Sequence, residues 1–177
     1  MKRFFALIFA ATAVTAHAQI TSNEELRKLV VEGEAEHEKN KNKPVIYLSE
    51  ETRTTRVLEI LKEGKINTAE DFLNAGLIFQ FAGNPEDSKL AYSFATIAAQ
   101  LAPAHRAPKW LAAVSLDRYM MWKHSPQWYG TQVLVLKESG KRSMYWILPG
   151  TVSDEERAAA GLPSLAEMMA DIEASNK

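Results

Sequence analysis

Cysteine is absent from this 177-residue chain, which excludes both a disulfide framework and a thiolate nucleophile. An excess of either charge is absent as well, because 21 Lys and Arg nearly balance 22 Asp and Glu to a formal net charge of −1. That balance gives no electrostatic footprint for nucleic acid or an anionic membrane surface. No Gly-x-Ser-x-Gly elbow, phosphate loop or His-Glu-x-x-His helix occurs, so the common hydrolase, nucleotide and metalloprotease signatures are missing. Long apolar runs are confined to the first residues. Without disulfides, stability rests on packing, and a chain of roughly 150 residues buries about 70% of its unfolded surface.

What is present begins with a leader. Lys2 and Arg3 precede an apolar run from Phe4 to Val14, and Ala16-His17-Ala18 places small residues before Gln19. This pattern predicts a secretory signal peptide over residues 1–18, cleaved after Ala18, and a periplasmic or secreted protein. The run is too short to span a bilayer, and no cysteine follows it to carry a lipid anchor. Loss of Lys2 and Arg3 takes the formal charge from −1 to −3 (−1 minus 2).

The mature chain reads as mainly α, an α+β arrangement of helical hairpins packed with one small C-terminal β-hairpin. Ser22 to Glu25 form a capping box, with Ser22 the expected cap, ahead of Leu26, Leu29, Val30 and Gly33 at helical spacing. "EAEHEKNKNK" follows, with little to bury. Its Glu34, Glu36, His37 and Glu38 lack a His-x-x-x-His pair, so a solvated charged end or linker is expected rather than a metal site. Residues 19–66 are thus an N-terminal helical extension with a charged linker, and 67–175 the main domain. Within the extension, "VIYL" leads to a second helix start at Ser49.

Thr68 and Asp71 cap a third helix whose inner face is Phe72, Ala75, Gly76 and Phe79. "GNP" at 83–85 starts a fourth, with Leu90, Phe94, Ile97, Ala98 and Leu101 as its inner stripe, and a fifth runs from about Pro108 to Lys123. "VLVL" and "MYWIL", separated by "KESGKR", predict strands over Thr131–Lys137 and Ser143–Leu148. Capping boxes at Ser153 and Ser164 predict two closing helices.

The blocks "AGLIFQFAGNPED", "WLAAVSLDRYMM", "PQWYGTQ" and "VSDEERAAAGLPSLAE" resemble those of an uncharacterised, mainly bacterial family, a domain of unknown function. Its mark is an Asp-Arg helix followed by Gln-x-Tyr-Gly-Thr-Gln, and the likeness spans about Asn67 to Glu167. It implies a shared fold and a shared polar unit, with no activity attached. Relatives commonly carry histidine where Phe81 stands here; either the position is structural, the favoured reading, or this member has lost a catalytic base and is inactive. A second resemblance, of the Ala69–Leu101 pair with its small residues, is to tetratricopeptide and Sel1-like hairpins, which implies a peptide-binding surface. A single hairpin of this kind is present, where arrays need about three units.

The candidate site is Gln80, Asp117, Arg118, Gln127, Tyr129, Gly130, Thr131 and Gln132. Asp117 has Ala113 and Met121 one turn away on either side, and a carboxylate in such company needs donors. Tyr129, Thr131, Gln127 and Gln132 supply hydroxyls and amides, and Gly130 permits positive φ or close approach. The expected role is a polar unit that is structural or ligand-binding. Catalysis is the disfavoured class; Asp117 with Tyr129 would be its acid-base pair. His105 and His124 flank prolines at helix ends and read as surface residues. Of Trp110, Tyr119, Trp122, Trp128, Tyr145 and Trp146, only Trp128 stands out from a core role, as a stacking position. No cofactor or metal is expected, and an envelope protein or peptide is the partner class.

Overall fold

The computed structural model describes residues 21–40, 48–81 and 83–177. The leader and Val45 to Tyr47 lie outside them. The described chain is mainly helical with one small antiparallel sheet: α1 (Glu24–Asn40), α2 (Leu48–Lys62), α3 (Ala69–Phe81), α4 (Pro85–Leu101), α5 (Arg106–Trp122), β1 (Val133–Val135), β2 (Arg142–Met144), α6 (Asp154–Ala159) and α7 (Leu165–Ala174).

Local sequence accounts for most helix starts. Asn84 accepts the Asp87 N–H at 2.9 Å with Pro85 at the first helical position. Reciprocal capping boxes join Ser153 to Glu156 and Ser164 to Glu167. At the first helix the cap is Asn23 rather than Ser22, its Oδ1 accepting the N–H groups of Glu25 and Leu26 at 2.9 and 3.3 Å. Ser49 is not a helix start either, because α2 already includes Leu48.

The main core joins α1, α2, α3 and α4 through Leu26, Val30, Val57, Ile60, Ile66, Ile78, Phe79 and Phe94. A second cluster of Leu73, Ala95, Ala98 and Leu111 joins α3, α4 and α5. Small side chains set these helix spacings. A Cβ at Gly76 would sit 3.0 Å from Leu111 and 3.3 Å from the Ala91 carbonyl oxygen, so α3 and α4 touch there through backbone. The same close approach corrects the expected α4 stripe. Ser88, Ala91, Phe94, Ala95 and Ala98 face inward, whereas Ile97 and Leu101 are 42% and 55% exposed.

The charged end of α1 is also more engaged than a linker. It stays helical to Asn40, and its Glu36 accepts from Arg53 at 2.9 Å while His37 lies 2.8 Å from Glu50. Glu50 and Arg53 pair at 2.6 Å and are 3% and 9% exposed. Gly33 makes room, because a Cβ there would meet the Arg53 Nε at 3.4 Å. The His37 ring also stacks at 4.5 Å on Phe81, so position 81 packs against α1.

The strands are shorter than the apolar runs. Val133, Leu134 and Val135 pair with Met144, Ser143 and Arg142, and single hydrogen bonds extend the ladder to Gln132 and Leu136. Beyond that, the Gln127 backbone takes the place the first strand would fill, donating to Trp146 O and accepting from Leu148 N, each at 2.9 Å. Thr131 is drawn away from the sheet altogether. Asn176, after α7, closes the outer edge of β2 by exchanging two hydrogen bonds with the Arg142 backbone, 2.7 and 2.8 Å.

Candidate functional site

The site forms where α5 ends. His124 takes a positive φ of 53°, and Ser125 N reaches back to Met120 O at 2.9 Å, so the chain reverses within two residues of the helix. This reversal lays residues 127–132 alongside the last turns of α5, over Asp117. The carboxylate has no solvent exposure. Its Oδ1 accepts the main-chain N–H groups of Trp128 and Tyr129 at 2.8 and 3.0 Å, and its Oδ2 accepts the N–H and the hydroxyl of Thr131, both at 2.9 Å. Four donors on two oxygens satisfy a buried carboxylate that would otherwise be costly.

The remaining motif residues extend this grip. Gln127 is fully buried: its Oε1 accepts from Gln132 N at 2.8 Å, and its amide donates to Tyr145 O at 2.8 Å and Gln132 O at 3.1 Å. Arg118 points elsewhere, as its position round the helix requires. Its Nη1 donates to the Gln80 carbonyl at 2.6 Å, satisfying an orphan acceptor in the last turn of α3, and its Nε lies 3.4 Å from Gln132 Oε1. The Gln80 side chain accepts the Ser115 hydroxyl at 2.7 Å. Burial pulls the Arg118 guanidinium down from its ordinary pKa.

Gly130 is required twice over. Its φ is +69°, and a Cβ would sit 3.0 Å from both Ile147 and Leu165 and 3.3 Å from Arg157 Nη1. Arg157, 2% exposed, is the residue sequence reasoning missed. In "SDEER" it reads as one more charge in a capping segment. Yet its Nε donates to Pro163 O at 2.9 Å and its Nη2 lies 2.8 Å from Met168 Sδ. Burial pulls its pKa down, against the pull of the Asp154 and Asp117 charges.

One expected contact takes a different form. Tyr129 meets Asp117 through its main-chain N–H, and the ring packs beside Ala113, Ala160 and Leu162. Tyr129 and Trp128 line one groove of about 410 Å³ together with α4, α5 and α6. Burial, with Tyr92 and then the Glu156 and Asp117 charges nearby, pushes the Tyr129 phenol up. Among the described residues no group of three or more His, Cys, Asp or Glu is placed to hold a metal ion, and no helix is long and apolar enough to cross a membrane.

No protein family, curated protein or solved structure matches this chain.

A second buried carboxylate works in the same manner. Asp71, 1% exposed, accepts the N–H of Asn67 at 3.0 Å, of Thr68 at 2.9 Å and of Asn23 at 2.5 Å. Burial alone would push its pKa up, but the main-chain donors outweigh it and hold the carboxyl below the usual range. The capping box was legible at Thr68 and Asp71; the long-range bond to Asn23 had no sequence signal.

Proposed function

We propose that this chain is an exported, non-catalytic binding domain in which the Asp117 unit is a structural lock and the groove beside it is the binding surface. The observation that carries this reading is the saturation of Asp117. Both oxygens are spent on four donors of the loop that carries the motif, three of them main-chain N–H groups. A general base needs a free lone pair directed at a substrate proton, and here that direction is filled by the protein itself. The side chains of Trp128 and Tyr129 are left to line the groove. The likeness to the Gln-x-Tyr-Gly-Thr-Gln family belongs to the same proposal: the motif's amides, glycine and threonine hold the loop and do not act on a substrate.

The test pairs stability with turnover in an envelope extract. Asp117→Ala should lower the urea midpoint sharply, and the intact protein should retain a component of the extract without converting it. An Asp117→Ala protein with the original midpoint that has lost a measurable conversion would overturn the reading in favour of catalysis.

A further inference from the structure

The groove is lined by groups of opposite charge, Glu156 and Lys109. On α4, Tyr92, Thr96 and Gln100 recur at four-residue spacing and share one face, and on α5 Lys109, Ala113 and Leu116 share another. Residues 102–105 join the two helices, so Gln100 and Lys109 lie near the connection and Tyr92 and Leu116 lie about two turns away. Glu156 of α6 and Tyr92 of α4 line the groove together with Tyr129. Gly161, just after α6, lies against Arg106 and Trp110 of α5. The groove therefore presents a carboxylate and two phenols together with an ammonium and an amide.

Small methyl groups from Ala99, Ala112, Ala159 and Ala160 also line the groove. Lys109 is half-buried and makes no hydrogen bond or ion pair among the described residues. One oxygen of Glu156 accepts Ser153 N at 2.8 Å in the capping box, which leaves its other oxygen for a ligand. The α4 wall of the groove, from Tyr92 to Gln100, is eight residues of helix, about 12 Å long. An extended chain covers that span in about three or four residues, and a groove of about 410 Å³ lies in the range for small ligands.

We propose that this groove binds a short peptide with free ends, its ammonium at Glu156, its carboxylate at Lys109 and small side chains against the alanine methyl groups. The proposal deepens, and rests on, the reading of the chain as a binding domain. The probe is tri-alanine, titrated into the isotope-labelled full-length protein and followed by NMR, alongside its N-acetylated and C-amidated forms. Tri-alanine should shift the Trp128 indole and the groove amides with a Kd of about 1 mM or tighter. Each blocked form should bind about fivefold more weakly. Lys109→Met should weaken the free peptide and leave the amidated form unchanged. Glu156→Gln, which keeps the cap, should weaken the free peptide and leave the acetylated form unchanged. Blocked and free peptides binding alike, shifts away from the groove, or no saturable shift would each overturn the proposal. If tri-alanine fails while Asp117→Ala still unfolds easily, the ligand class alone is wrong. An Asp117→Ala protein of unchanged stability removes the lock reading itself.

Discussion

At the scale of single residues, the charge of Asp117 and the missing side chain of Gly130 do the most. Removing the Asp117 carboxylate strands three main-chain N–H groups and a hydroxyl, each worth about 1–3 kcal/mol when left unpaired. Asp117→Ala should therefore lose about 3 kcal/mol or more in urea unfolding, and Thr131→Val about 1–2 kcal/mol. The double mutant should lose less than the sum, because both substitutions break the same bond. Tyr129→Phe should add independently to Asp117→Ala, since Asp117 holds the main chain of residue 129. Gly130→Ala forces a side chain into positive φ and into 3.0 Å contacts with Ile147 and Leu165. It should cost about 2–5 kcal/mol, combining left-handed strain with overpacking. A near-neutral Gly130→Ala in the same urea assay would contradict the fit described.

At the scale of elements, what could be read from sequence was whatever neighbouring residues decide. Caps at Thr68, Asn84, Ser153 and Ser164 are local, and so is the period that marks α3. The closeness of Asp117 to the 127–132 block was legible too, because a helix that stops near His124 leaves only a few residues before Gln127. The rest depends on distant partners. Nothing in Arg157 or Arg53 announces burial until α7 and α1 are in place. Ile97 and Leu101 fit a helical stripe as well as Ala91 and Ala95 do, and only the close packing with α3 selects the alanines. Strand lengths failed for the same reason, since Gln127 displaces part of the expected pairing.

A pH dependence follows from Asp71. Its folded pKa is depressed, so its contribution is fully present above the unfolded value of about 3.9 and is lost as pH falls through the folded value. The urea midpoint should drop on acidification below about pH 4. Asp71→Asn should be less stable at neutral pH, with a flatter acid limb; an unchanged acid limb would show that other carboxylates carry the effect.

At the scale of the whole molecule, the absence of cysteine and the proposed export fit together, because a chain held by packing and carboxylate bridges folds in any redox compartment. Intact mass of the natively exported protein should give a chain beginning at Gln19, and a retained Met1 would rule the processing out.

The lock at Asp117 has a consequence for how such a protein can change. It grips residues 128 and 129 by their backbones, and the backbone N–H is the same for every residue but proline. At position 128, where the side chain is exposed, it can therefore be exchanged without loosening the loop that presents it, whereas the Tyr129 ring is also held by Ala113, Ala160 and Leu162. Trp128→Ala should leave the free energy of unfolding within about 0.5 kcal/mol of the parent, as for other exposed substitutions, while altering whatever the groove retains. Selectivity can drift at position 128 by single substitutions while the scaffold beneath stays as it is.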